Sequence, residues 1–206
     1  MRSKLWIASQ VFFLLMVAIL AAGGALAQQV ATSGNEQKDD AVGFKEFLGR
    51  VQEYVKLHKT IEATLPPLKD KEELPEMISA HQQALARKIR QARLHSELDE
   101  IFTKSSREAF RHAIRRTFQG QKAPHALATM KQGTPLRKIS LKVNEVYPDG
   151  VPQTTVPPTL LQNLPKLPDE LQYRVMGRDL ILLDVRANLV VGLLRDVLPW
   201  IFETED

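Results

Sequence analysis

The spacing of the apolar residues changes part-way along the chain, and this change constrains the fold more than any other feature of the sequence. Between Phe44 and His58 the apolar side chains recur every three or four residues, which places them on one face of a helix. In residues 138–147 they alternate with polar residues, which is the spacing of a strand. The sequence therefore predicts an α+β fold, with a helical region at 43–133 and a small α+β region at 134–206.

Three amphipathic helices are predicted in the helical region, and together they indicate a small helical bundle. The first ends at Leu65-Pro66-Pro67, because proline lacks an amide hydrogen and restricts the residue before it. The second begins near Lys71 or Pro75, and the third is capped by Ser105-Ser106 and ends at Gly120. The residues predicted to face inward from the second and third helices are Ile78, Leu85, Ile89, Ala92, Phe110, Ala113, Ile114 and Phe118.

A β-hairpin is predicted at residues 171–185, where alternating residues flank the glycine-first turn Gly177-Arg178. Asp184 begins the next turn, because aspartate favours turns. Residues 189–198 form either a third strand or a terminal helix, since a short apolar run suits both. A short helix is predicted at 158–164. The predicted cross-strand pairs are Val175 with Leu180, Tyr173 with Leu182, Arg174 with Ile181, and Met176 with Asp179.

The first residues have the three-part layout of a secretory signal. Arg2 and Lys4 precede an apolar run, which is followed by a small-residue triplet that ends at Ala27. This layout predicts a signal peptide at 1–27, cleaved after Ala27, and a flexible linker at 28–42. Alternatively, the segment stays uncleaved and anchors the protein in the inner membrane, because the apolar stretch approaches the roughly 20 residues that span a bilayer. Since the chain contains no cysteine, it uses no disulfides, which suits a periplasmic or secreted bacterial protein.

No motif for catalysis, cofactor binding or metal binding is found in the sequence. The five histidines are spread singly, and the nearest approach to a metal site is His95 with Asp99 on one side of a helix. The pair Ser105-Ser106 lacks the surrounding residues that activate a nucleophile. No catalytic, cofactor-binding or metal-binding residue is therefore assigned. Two alternatives stay open, which are an enzyme of unrecognised type with a site between the two regions and a weak periplasmic metal-binding protein.

A basic run on the third helix is the strongest candidate for a binding surface. Arg107, Arg111 and Arg115 are four residues apart and share one helical face, where they could collect phosphates or an acidic protein surface. A solvated face balanced by Glu108 is the competing interpretation. Removal of the signal lowers the formal net charge of +4 by its two cations to 4 − 2 = +2, so a nucleic-acid partner is not expected. The expected partner is an envelope protein or an anionic surface.

The segment "LPKLPDELQYRVMGRDLILLDVRANLVVGLLRDVLP" resembles the carboxyl-terminal end of uncharacterised exported proteins of bacteria, and "VNEVYPDGVPQTTVPPTLLQNLP" before it belongs to the same pattern. This resemblance covers the last third of the chain and implies export without an assigned activity. Within it, "YRVMGRDLILLDVRANLVVGLL" is similar to the terminal hairpin of small periplasmic proteins linked to nickel and cobalt homeostasis. That similarity implies no metal site, because no ligand residues match. The sequence thus predicts an exported protein with a non-catalytic binding or structural role in the cell envelope.

Overall fold

The computed structural model of the chain describes residues 36–68, 75–94, 101–120, 123–131, 140–148, 150–151 and 156–199. In the described chain, five helices precede a three-stranded antiparallel sheet, so the predicted α+β class is confirmed. The helices are α1 at 36–62, α2 at Pro75–Ala92, α3 at Lys104–Gln119, α4 at Ala123–Lys131 and α5 at Pro158–Leu161; the strands are β1 at Leu171–Met176, β2 at Asp179–Asp184 and β3 at Leu189–Leu194. None of the helices in these ranges is both long enough and apolar enough to cross a membrane. The predicted signal peptide at 1–27 lies outside the described residues.

Helix α1 carries the predicted inward stripe, which is confirmed because Phe47, Val51, Tyr54 and His58 are all buried. The spacings of four, three and four residues between them keep these side chains on one face of the helix. The helix begins earlier than the sequence predicts, since residues 36–42 of the predicted linker are already helical.

Two contacts between α1 and α3 account for this early start. Asp40 is only 4% exposed, and it accepts a hydrogen bond from Arg116 at 2.7 Å and lies 2.8 Å from Nδ1 of His112. Gly43 lies so close to α3 that a β-carbon would come within 2.7 Å of the carbonyl oxygen of Ser105. Because these partners lie about 70 residues away along the chain, the local polarity of the segment does not reveal them.

The start of α3 also differs from the prediction. Thr103 is the N-cap, with its hydroxyl accepting a hydrogen bond from the amide of Ser106 at 3.3 Å, and Ser105-Ser106 lies inside the first turn. The predicted cap at Ser105-Ser106 is therefore wrong, because threonine also favours the N-cap and Thr103 takes this position. The end at Gly120 is as predicted.

Helix α2 buries only part of its predicted inward face. Leu85 and Ile89 are fully buried, whereas Ile78 is 50% exposed and Ala92 is also exposed. The first six residues of α2 are all exposed. The apolar spacing is therefore correct for a helix, but its first turns lie outside the core. Helix α4 was not predicted separately.

The hairpin has the predicted register, because all four predicted pairs are observed. Gly177 has a φ of 59°, as a glycine-first turn requires. The open choice at 189–198 is decided in favour of a strand, since β3 pairs antiparallel with β2. The short helix predicted from Pro158 is observed as α5.

The strand predicted at 138–147 does not form in its described part. Asn144 has a φ of 65°, and this left-handed conformation interrupts an extended strand. In residues 140–148 an isolated bridge joins Val146 to Leu189. Backbone hydrogen bonds from Asn144 and Tyr147 nevertheless hold the segment along the edge of β3.

Both faces of the sheet are buried. On the helical side, Phe47 of α1 stacks on Phe102 with 5.2 Å between ring centroids and lies 6.4 Å from the ring of Tyr173 in β1. Gly192 of β3 makes room for Phe102, because a β-carbon there would lie 2.9 Å from that ring. On the opposite side the sheet packs against Tyr147. The helical and α+β regions therefore share one core.

Candidate functional site

Asp184, the last residue of β2, is fully buried and faces four hydrogen-bond donors. Its Oδ1 accepts hydrogen bonds from the backbone amides of Arg186 at 3.0 Å and Ala187 at 2.9 Å. Its Oδ2 accepts a hydrogen bond from the Tyr54 hydroxyl at 2.6 Å and lies 2.6 Å from Nδ1 of His58. A carboxylate can only accept hydrogen bonds, and these four contacts occupy both oxygens of Asp184.

Local structure positions each member of this Tyr54–His58–Asp184 network. Tyr54 and His58 are four residues apart on the buried face of α1, so their side chains lie one turn apart and reach the same partner. Asp184 closes the β2–β3 turn through the two backbone amides, as aspartate commonly does. The network thus joins the first helix to a turn of the sheet, across 126 residues of sequence.

His58 lies between two carboxylates. While its Nδ1 faces Asp184, its Nε2 lies 3.5 Å from Oε2 of Glu62, one turn further along α1. Although burial alone would lower the pKa of His58, the hydrogen bond to Asp184 and the charges of Asp184, Glu62 and Glu170 raise that pKa above its ordinary value of 6.5. The imidazolium form is therefore favoured at this position.

Glu62 connects the network to the surface. Its side chain is 23% exposed, and both of its carboxylate oxygens contact Nη1 of Arg186, at 2.9 and 3.0 Å. His81 of α2 has its Nε2 4.0 Å from the same carboxylate. Acidic and basic groups therefore alternate from Asp184 through His58 and Glu62 to Arg186.

A second ion pair lies beside the network. Lys59 of α1 contacts Glu170, just before β1, at 3.0 Å. Burial alone would raise the pKa of Glu170, but a backbone hydrogen bond and the charge of Lys59 hold that pKa below its ordinary value. This pair is a further charged link between α1 and the sheet.

On the other side of the network, the side chain of Arg93 lies over the ring of Tyr54, 5.2 Å from its centroid, and donates to the carbonyl of Val191 at 3.2 Å. Burial raises the pKa of Tyr54 well above its ordinary value, and the nearby charge of Asp184 adds to this effect. Tyr54 is therefore a hydrogen-bond donor to Asp184 at every physiological pH.

The network is closed to solvent. Tyr54 is 5% exposed, and His58 and Asp184 are 0% exposed. A general acid or base must come within hydrogen-bond reach of the proton that it transfers, so these groups can act on one another but not on a molecule outside.

Within the described ranges, no group of three or more histidine and carboxylate residues could hold a metal ion. The arrangement can store and stabilise a proton, and it can fix α1 to the sheet.

The predicted basic face lies on α3, and its three arginines are not equivalent. Arg107 is partly buried, and its Nε donates to the carbonyl of Phe102 at 3.0 Å. Arg111 and Arg115 are exposed. No ion pair or hydrogen bond to another described residue occupies either of these two guanidinium groups. The accessible part of the face is therefore the pair Arg111 and Arg115.

The other candidate residues from the sequence either have a structural role or lie outside the described residues. Ser106 is fully buried and donates to the carbonyl of Thr103, so it belongs to the start of α3. His95 and Asp99 lie outside the described residues. The sequence did not predict the Tyr54–His58–Asp184 network. It predicted the buried face of α1 and the turn at Asp184 separately, and nothing in it indicated that the two are in contact.

Comparison of the chain with protein-family models, curated proteins and solved structures found no match.

Proposed function

We propose that this chain is an exported bacterial protein with a non-catalytic binding role in the cell envelope, and that Arg111 and Arg115 contact an acidic surface of an envelope protein. The observation that carries the proposal is that both guanidinium groups are exposed and have no partner in the described chain. Two like charges one turn apart repel each other, so an anionic partner would relieve this repulsion.

The opposite face of α3 supports this role because it anchors the helix backbone that carries the two arginines. Phe110, Ala113 and Ile114 are at most 2% exposed, and Thr103 caps the first turn. A side chain on an anchored helix loses less conformational entropy on binding than one on a loose segment. Arg111 and Arg115 are therefore presented in a fixed spacing.

Export is supported by the layout of residues 1–27, by the absence of cysteine, and by the resemblance of the last third of the chain to exported bacterial proteins. Fractionation of cells that express the full chain, followed by amino-terminal sequencing, tests this part of the proposal. The expected product is periplasmic and begins at Gln28. A full-length product in the inner membrane would favour the uncleaved anchor, and a cytoplasmic product would exclude export.

Binding is tested by capture from a bacterial envelope extract with the mature chain and with the double variant Arg111→Glu, Arg115→Glu. The matched control is Arg87→Glu, Arg90→Glu on α2, which makes the same change in charge at two exposed positions. The proposal expects a captured protein to be lost with the α3 variant and retained with the control. Equal capture by all three proteins would contradict the proposal. Binding to vesicles of anionic phospholipid is measured in parallel. If the α3 variant loses only the binding to vesicles, the partner is a lipid surface and the proposal is also contradicted.

A second candidate is an enzyme with its site between the two regions. The observation that favours it is that titratable groups from both regions do meet, in the Tyr54–His58–Asp184 network. Catalysis there would require the network to open to substrate. Modification by diethyl pyrocarbonate in the native state measures this opening, because His58 would then react at a rate near that of the exposed His125. Complete protection of His58 would argue against the enzyme.

A further inference from the structure

We propose that His58 is a proton-dependent link between α1 and the β2–β3 turn, which holds the two regions together when its ring is protonated and loosens when the proton is lost. The proposal concerns the buried network and does not depend on the proposed binding role of α3.

The carboxylates on both sides of the His58 ring favour two protons on it. A neutral imidazole has one N–H and one lone pair, so it can donate to only one acceptor. Around His58, however, both ring nitrogens face carboxylates, Asp184 at 2.6 Å and Glu62 at 3.5 Å. Either neutral tautomer would therefore place a lone pair near carboxylate oxygens. The imidazolium instead donates to Asp184 and places its second N–H, which makes no hydrogen bond in the described chain, 3.5 Å from the carboxylate of Glu62.

The charge balance leads to the same conclusion. Asp184 is 0% exposed, and a buried charge without a counter-ion is costly. Tyr54 and the two backbone amides supply hydrogen bonds to Asp184 but no compensating charge. Of the groups that contact its carboxylate, His58 is the one that can carry a positive charge.

The charged groups that face His58 come from each element packed around it. They are Glu62 from α1, His81 from α2, Glu170 from the segment before β1, and Asp184 and Arg186 from β2 and the turn. Three of these are carboxylates that stabilise the imidazolium. Arg186 opposes it, but its guanidinium is held on the far side of Glu62 by two contacts of 2.9 and 3.0 Å.

The direction of the pH dependence follows from the raised pKa of His58. The folded chain binds the proton more tightly than the unfolded chain, so the stabilisation is fully present below pH 6.5, the ordinary value. It is lost as the pH rises through the folded pKa. Between these two values the unfolding equilibrium constant should increase by up to about tenfold per pH unit.

The test is urea unfolding of the full chain between pH 6 and pH 9, compared with His58→Gln and with His125→Gln. Glutamine keeps a donor for Asp184 but has no titrating group, so we expect the pH dependence to be lost in His58→Gln. The control changes an exposed histidine and should retain the wild-type profile. Identical profiles for wild type and His58→Gln would overturn the proposal.

Two further variants keep the test decisive if His58→Gln does not fold. Glu62→Gln removes a carboxylate beside Nε2 and should move the midpoint of the pH profile to lower pH. Arg186→Gln removes the cation that competes for Glu62 and should move the midpoint to higher pH. Opposite shifts support the link, and unchanged midpoints in both variants would contradict it.

Discussion

Two groups of polar and charged residues in this protein have opposite surroundings. In the Tyr54–His58–Asp184 network, a fully buried carboxylate has four donors around it and a histidine as its counter-ion. On α3, Arg111 and Arg115 are exposed and have no partner in the described chain. The location of a charge in the fold therefore decides whether it stabilises the protein or is available to another molecule.

The two groups of residues differ in their exposure to water, and this difference determines how much each contributes to stability. In the buried network each group has given up water, so removing one member leaves the others without compensation. Water surrounds the exposed arginines, and their removal costs the fold very little. Three substitutions test this contrast, and the one with the greatest expected loss of stability comes first.

Asp184→Ala should lower the free energy of unfolding by about 3–5 kcal/mol, because it leaves a buried histidine and a buried hydroxyl without their acceptor. Urea unfolding at pH 6.5 measures this loss. The matched control is Glu53→Ala on α1, whose side chain is 73% exposed and pairs with Arg50 at 3.6 Å, and it should change stability by less than about 0.5 kcal/mol. A similar loss in both variants would mean that burial does not distinguish the two kinds of charge.

Tyr54→Phe should cost about 1.5–3 kcal/mol, because it removes one hydrogen bond to an ionised acceptor and keeps the ring. The hydrogen bond itself is isolated by a double-mutant cycle with Asp184→Ala. In the Asp184→Ala background the same substitution should cost much less. Equal costs in the two backgrounds would show that the Tyr54 hydroxyl does not interact with Asp184.

Arg111→Glu with Arg115→Glu should change the free energy of unfolding by no more than about 0.5 kcal/mol per substitution. The physical reason is that neither side chain has a partner in the described chain to lose. Thermal unfolding of this variant and of Arg87→Glu, Arg90→Glu should give melting temperatures close to that of the wild type. A large loss confined to the α3 variant would mean that the two arginines support the fold.

The sequence predicted the features that depend on near neighbours. The hairpin register followed from alternating residues around Gly177, and the inward face of α1 followed from its spacing, because both patterns are local. The prediction of a strand at 138–147 was wrong around Asn144, which has a left-handed backbone conformation. Alternation describes which side chains are apolar, but it does not report the backbone angle of a single residue.

The candidate site could be predicted only in parts. Asp184 was correctly expected at a turn, and His58 was correctly expected on the buried face of α1. Their meeting depends on how α1 packs against the sheet, which is set by a shared core and not by any motif. Similarly, the four-residue spacing of the arginines on α3 was correct, but helical spacing does not show that Arg107 donates a hydrogen bond to the carbonyl of Phe102, five residues before it.

The most direct test of this account is the protonation state of the His58 ring, measured by nuclear magnetic resonance of its two nitrogens during a pH titration. The account predicts that both nitrogens carry a proton at pH 6.5 and that the ring loses one of them at a pH above this ordinary value. A ring that is already neutral at pH 6.5, with a single protonated nitrogen, would contradict it.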